Sequence, residues 1–249
     1  MEVKAFNHDF VLDAQDTAQQ SRARILELLD TMQEVAGMHA DQLGVGVRAL
    51  MTKDLTWVLA RLHVQFGDIP PTGRTVHIAT WPSGRHRLLA VREFLLSNEK
   101  GGEILRASSA WALMNVTARR PARLDPHLPV FNRYPERMIS DDFPALPPPQ
   151  SADHEATYQA VAADIDINDH VNNLVYMDWA LRSIPSAYHS MRLLALEIAF
   201  LGEARLGDEI LCRTQTATED GSKMILQSLH NPAGNRELTR LRSHWEKQY

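Results

Sequence analysis

Between residues 164 and 173 the chain reads Asp-Ile-Asp-Ile-Asn-Asp-His-Val-Asn-Asn, which sets a carboxylate at Asp166, an amide at Asn168 and an imidazole at His170 ahead of an apolar run. Polar side chains are costly beside a core unless they are hydrogen-bonded or do chemistry there. If the stretch is extended, these three alternate with Ile167 and Asp169 and project to one side. Three readings compete for them. Asp164, Asp166 and Asn168 fall at positions 1, 3 and 5 of a calcium loop, but that loop needs Gly at position 6 and Glu at position 12. Those positions hold Asp169 and Val175. The second reading is an Asx-rich turn that only caps the next helix. The third is a catalytic group at a helix amino end, where backbone N–H groups and the helix dipole favour developing negative charge.

The element that must position the trio is a helix expected over Val171 to Ser183. It carries Val171, Leu174, Val175 and Trp179 on one side and Tyr176, Met177, Ala180 and Leu181 on the other, with Asn172 or Asn173 available as a cap. A helix apolar nearly all round is buried. Strand-like runs follow at Leu193–Leu201, Asp208–Thr216, Lys223–Leu229 and Glu237–Glu246. The first half has the same order. A long amphipathic helix is expected over Ala18 to Leu43, then runs at Trp57–Phe66, Arg74–Trp81, Leu88–Ser97 and Ile104–Asn115. Gly102-Glu103-Ile104-Leu105 through Trp111 parallels Arg236-Glu237-Leu238-Thr239 through Trp245, and Gly73-Arg74 parallels Gly207-Asp208. Pro144-Ala145-Leu146-Pro147-Pro148-Pro149 can neither continue a helix nor pair centrally in a sheet. The expected organisation is therefore a first domain at 1–143, a linker at 144–150 and a second domain at 151–249, each burying a helix against a sheet.

Asp166-x-Asn168-x-His170-Val171-Asn172-Asn173 with Tyr176 and Trp179 resembles the signature of the acyl-acyl-carrier-protein thioesterases of fatty-acid synthesis. Gln33-Glu34-Val35-Ala36 with His39, Thr56-Trp57-Val58-Leu59, Thr80-Trp81-Pro82, Arg92-Glu93-Phe94, Ala110-Trp111 and Arg119-Arg120-Pro121 resemble further family landmarks, in the family's order. The resemblance implies an α+β double hot-dog, two tandem helix-wrapped antiparallel sheets, in which the second half catalyses and the first shapes the acyl pocket. It also implies a catalytic glutamate at Glu203, which ends the apolar run Ile198-Ala199-Phe200-Leu201-Gly202. Counting back from the matched glycines, the first half has Ile69 there, and Asp13-Ala14-Gln15-Asp16-Thr17 before its helix holds no Asp-x-Asn-x-His. Only the second copy is equipped.

The expected chemistry is hydrolysis of the thioester of acyl-acyl-carrier protein, releasing a free fatty acid without a covalent intermediate. Glu203 would activate water with help from His170, Asn168 and helix-end N–H groups would bind the carbonyl oxygen, and Asp166 would orient Asn168 or His170. Plant members carry a cysteine directly after the glutamate, for which a papain-like route has been proposed. This chain has Ala204 there, and Cys212 falls inside an expected strand as a small buried hydrophobe. Acyl-CoA thioesterase, hot-dog hydratase or dehydratase, and a non-catalytic acyl-binding module are the alternatives, since fold alone does not separate them.

Met32, Val35 and Trp57 are the expected wall of the acyl pocket, with His39 either beside it or structural. A net charge of −5 argues against nucleic acid as partner. Arg119, Arg120 and Arg123, with Arg133 and Arg137 beyond them, form a basic cluster that could steer an acidic carrier protein or simply be a solvated linker. No apolar run approaches the roughly 18 residues of a membrane span. The first residues resemble neither a signal nor a transit peptide, so a cytoplasmic bacterial protein or a trimmed form is expected. His63, His77 and His86 lack metal-site spacing, and neither metal nor cofactor is expected. A homodimer stays open, because a tandem double hot-dog can already pair its halves.

Overall fold

The computed structural model describes residues 4–13, 20–125, 127–129, 135–166, 168–219 and 222–247. Two compact units divide the chain, Met1–Phe143 and Pro144–Tyr249.

The first unit begins with β1 (Phe6–Val11), α1 (Gln20–Gln42) and the short α2 (Val47–Met51). Four long strands follow, β2 (Leu55–Phe66), β3 (Thr75–His86), β4 (Leu89–Asn98) and β5 (Glu103–Asn115), with a two-residue β6 (Arg120–Pro121) against β5. All pair antiparallel in the order β1-β3-β4-β5-β2. Ile25, Leu28, Leu29, Met32, Val35 and Ala36 recur at helical spacing and are buried, and α1 packs on β3. Each of these side chains larger than alanine is worth roughly 1.5–3 kcal/mol of burial, so packing rather than propensity holds the helix.

The second unit has β7 (His154–Gln159), a 3₁₀ turn at Ala162–Asp164, and α3 (Asn173–Arg182). A second 3₁₀ turn at Ser186–Tyr188 precedes β8 (Met191–Phe200), β9 (Glu209–Glu219), β10 (Ser222–Asn231) and β11 (Arg236–Lys247). The order is β7-β9-β10-β11-β8, the same as in the first unit strand for strand, and α3 lies on β10. Small details repeat too. Trp111 Nε1 donates to Ser109 Oγ at 2.8 Å, and Trp245 Nε1 donates to Ser243 Oγ at 2.8 Å. Gly73 (φ 83°) and Gly207 (φ 85°) open β3 and β9 in the left-handed region that side chains avoid. Each donates its N–H to the end of the unit's first strand, Gly73 to Leu12 at 2.7 Å and Gly207 to Ala160 at 2.9 Å. Both units are hot-dogs, and the chain is a tandem double hot-dog of α+β class.

The Pro-rich stretch after residue 143 lies on the second unit. Leu146 is buried, and its carbonyl accepts from Arg240 Nη1 at 2.6 Å.

Candidate active site

The trio does not sit on an extended strand. Asp166 accepts the Asn168 backbone N–H at 2.8 Å and the His170 backbone N–H at 3.4 Å on the same carboxylate oxygen, while its other oxygen accepts from Asn168 Nδ2 at 3.2 Å. An Asx side chain that captures backbone donors two and four residues on turns the chain instead of letting it run straight. Asp169 takes φ 60° at the bend, and Asp166 N–H closes the loop onto the His170 carbonyl at 2.8 Å. A bridge between Ile165 and Val171 zips its base. The extended backbone that would put Asp166, Asn168 and His170 on one face is not what forms; the segment is a tight loop built around Asp166. Ile167 lies outside the described residues.

The loop leads into α3 through Asn172, whose side chain accepts from Leu174 N–H at 2.9 Å as the cap. That leaves one fewer helix-end N–H for a substrate oxygen. Tyr176, Met177, Trp179 and Ala180 are buried, so the helix start is fixed by its own packing.

Glu203 follows β8, where Leu201 N–H and Gly202 N–H both donate to the Leu238 carbonyl at 2.8 and 3.0 Å. A side chain at Gly202 would stand 3.2 Å from the Glu237 carbonyl oxygen, so glycine lets this segment hug β11. Arg236 Nη2 donates to the Glu203 carbonyl. The next residue, Ala204, is fully buried and is held twice. Its carbonyl accepts from Val171 N–H at 2.9 Å, and its N–H donates to the Tyr176 hydroxyl at 2.7 Å. These two bonds tie the glutamate segment to the residue after His170 and to the first turns of α3.

The result is that His170 Nε2 faces Glu203 Oε2 at 3.1 Å. The side chains are 18% and 43% exposed, so the imidazole is shielded while the carboxylate reaches solvent. Nε2 itself has no contact with solvent and no aligned hydrogen bond. Asp166, Asn168, His170 and Glu203 therefore gather at one end of α3 in the second unit, joined by the Asp166 hydrogen bonds and the His170–Glu203 contact. Such a set offers a carboxylate base, an imidazole against it, and an exposed amide donor.

Tyr176 belongs to the signature that carries the resemblance, but its part in this site, the bond to Ala204, is not legible in the sequence. Burial pushes its hydroxyl up to about 12, the bond to Ala204 opposes this, and the Glu203 charge adds to it. The phenol therefore stays protonated and neutral. Cys212 is fully buried in β9, burial raises its thiol, and Gln227 Nε2 lies 3.8 Å from its sulfur.

In the first unit a cavity of about 220 Å³ lies between α1, the loop to α2 and strands β2 to β5. Trp57 is on its wall, its Nε1 anchored to the Val45 carbonyl at 2.9 Å. Met32 and Val35 are buried at 1% and 0% exposure and do not line it; their helix neighbours Gln33, Ala36 and Gly37 do. His39 is buried, stacks on Phe6 with ring centres 5.6 Å apart, and is held near 4 by burial and the Arg92 charge. Arg119, Arg120 and Arg123 are exposed around β6. Arg137 turns inward, 3.5 Å from the buried Glu93 and over the Phe143 ring, and Arg133 lies outside the described residues.

A hot-dog repeated in tandem, with a His–Glu pair at the helix end of the second copy, defines a class of α+β fold and site. Comparison with known proteins gives the family. A model of the acyl-ACP thioesterase N-terminal domain matches residues 3–129, and one of the acyl-ACP thioesterase C-terminal domain matches residues 148–247. The chain belongs to the acyl-ACP thioesterase family.

Among its relatives, chloroplastic oleoyl-acyl carrier protein thioesterase 1 of Arabidopsis thaliana is 27% identical over 244 residues, covering 87% of this chain. Chloroplastic palmitoyl-acyl carrier protein thioesterase of Gossypium hirsutum is 27% identical over 266 residues, covering 98%. The matches span 65% and 64% of those two relatives' lengths. An acyl-ACP thioesterase from Bacteroides thetaiotaomicron superposes with a TM-score of 0.83 at 25% identity, covering 97% of this chain and 98% of that one. The 12:0-ACP thioesterase from Umbellularia californica shares the fold, with a TM-score of 0.83 at 22% identity over 98% and 94% of the two chains. Among the described residues no helix is long and apolar enough to cross a membrane.

Proposed function

We propose that this chain hydrolyses the thioester of acyl-acyl-carrier protein, with Glu203 as general base and His170 beside it. The observation that carries the proposal is the 3.1 Å approach of His170 Nε2 to Glu203 Oε2, in the unit that also holds Asp166 and Asn168. Glu203 takes a proton from water as the water oxygen bonds to the thioester carbonyl carbon. The carbonyl electron pair moves onto oxygen, where the Asn168 amide donates a hydrogen bond. Collapse of the tetrahedral intermediate breaks the C–S bond, and the proton held on Glu203 passes to the leaving sulfur. The products are a free fatty acid and the carrier's thiol.

Each residue's part follows from what it touches. His170 stands 3.1 Å from the Glu203 carboxylate, Asp166 fixes the loop that carries both Asn168 and His170, and Tyr176 anchors the glutamate segment through Ala204. Trp57 with Gln33, Ala36 and Gly37 of α1 would receive the acyl chain. The exposed Arg119 and Arg120 would meet the acidic carrier, an attraction that salt would weaken.

Incubation with acyl-carrier-protein and acyl-CoA substrates of graded length, following free thiol and acyl products, tests the proposal. Release of thiol and free acid, faster from the carrier-bound substrate, is expected. A product with a new double bond or hydroxyl and no free thiol would refute it.

A further inference from the structure

The cavity of the first unit contains a cation that no carboxylate meets among the described residues. Arg92 lines it, and among the described residues its guanidinium is met by two neutral groups, His39 Nδ1 and Thr80 Oγ1, both 3.1 Å from Nη1. Glu93 follows in sequence but faces the other side of β4, as strand alternation requires. There Ser83 Oγ, Ser108 Oγ and Met138 N–H donate to its carboxylate, and Arg137 approaches it. The cavity's second arginine, Arg85, is neutralised by Asp125 at 2.5 Å. Arg92 keeps a little accessible area, yet its surroundings are desolvated enough to lower it to about 10. His39, held neutral, accepts one N–H and adds no negative charge.

A guanidinium largely removed from water is expensive without a partner, and its planar fork of donors matches a carboxylate. The rest of the wall is chiefly apolar, with Trp57, Ala36, Val91 and Trp111 among it. We propose that this cavity binds a free fatty acid, its carboxylate on the Nε and Nη2 side of Arg92 and its chain along the apolar wall. The binding rests on the cavity itself. Its consequence, inhibition of turnover by released acid, rests on the proposed hydrolysis.

Gly37 supplies a blocking variant. It lies within α1 on the cavity wall, and a Cβ built there meets nothing within 4 Å, so Gly37→Leu extends into open space. Tryptophan fluorescence of the full chain, with Trp57 on the wall, would follow titration with decanoate, decanol and decyltrimethylammonium. Wild type should bind decanoate at least tenfold more tightly than decanol and should not bind the cation. Arg92→Met should lose that preference while still binding decanol, which shows that the variant is folded, Arg92→Lys should keep part of it, and Gly37→Leu should weaken both ligands. Equal affinity for decanoate and decanol in wild type, or unchanged decanoate binding in folded Arg92→Met, would overturn the proposal. So would Arg92-dependent turnover of a decanedioyl thioester with decanoate binding unaltered, which would assign the guanidinium to a substrate's distal carboxylate.

Discussion

Replacing Tyr176 by phenylalanine removes one oxygen and nothing else from the second unit's core, which makes it a clean probe of how the site is held. The hydroxyl accepts the Ala204 N–H at 2.7 Å, with Tyr176 1% and Ala204 0% exposed. Water cannot reach the stranded N–H, so the variant bears its desolvation cost, about 1–3 kcal/mol. For a chain of this size that corresponds to a Tm lowered by roughly 2–12 °C. The Val171 N–H to Ala204 carbonyl bond at 2.9 Å survives, so the segment should loosen rather than detach. Glu203 is the residue next to the lost anchor, and a displacement of about 1 Å from His170 can cost up to about a hundredfold in rate. Calorimetry and steady-state kinetics on acyl-carrier-protein substrates would read both effects. The expectation is a lowered Tm and a kcat reduced ten- to hundredfold (on the order of 1.4–2.7 kcal/mol) with KM nearly unchanged. A variant with wild-type Tm and kcat would refute the anchoring role.

Other expectations are equally open to measurement. His39 is neutral in the fold near 4 against 6.5 when free, so its contribution is complete above pH 6.5 and is lost as pH falls through 4. Wild type should lose about 3 kcal/mol over that window beyond what His39→Gln loses, and parallel Tm–pH curves for the two would contradict it. Cys212→Ala should keep hydrolysis within about twofold, because a fully buried thiol raised by burial is a poor nucleophile; abolished turnover in a folded variant would restore a cysteine route. Gly37→Ala should raise Tm by a few degrees, since glycine inside a helix costs roughly 0.5–1 kcal/mol relative to alanine and the added methyl has space. An unchanged or lowered Tm would show that the position is strained.

The long elements were legible because their periods are long enough to declare themselves. The expected helix at Ala18–Leu43 is Gln20–Gln42, and the eight expected runs correspond to β2–β5 and β8–β11. The edge strands β1 and β7 were not. Phe6-Asn-His-Asp-Phe-Val and His154-Glu-Ala-Thr-Tyr-Gln are short, half-polar segments that become strands through their hydrogen bonds to β3 and β9. At the site, residue types pointed to Asp166, Asn168 and His170 and the family resemblance to Glu203, but neither gave their arrangement. Alternation would place the trio on one face only of an extended backbone, whereas Asp166 captures its neighbours' N–H groups, a local competition that alternation cannot reveal. The Tyr176–Ala204 and Arg92–His39 contacts join residues far apart in sequence, and nothing local to either partner announces the other.

The contact between His170 and Glu203 is the claim on which the proposed hydrolysis depends, and pre-steady-state turnover of Glu203→Gln tests it most directly. The variant keeps the size of the side chain and a hydrogen-bonding end while removing the basic oxygen. It should bind acyl-carrier protein as wild type does and hydrolyse it about 10²–10⁴-fold more slowly, the range typical of a lost general base. Hydrolysis by Glu203→Gln at the wild-type rate would contradict the account.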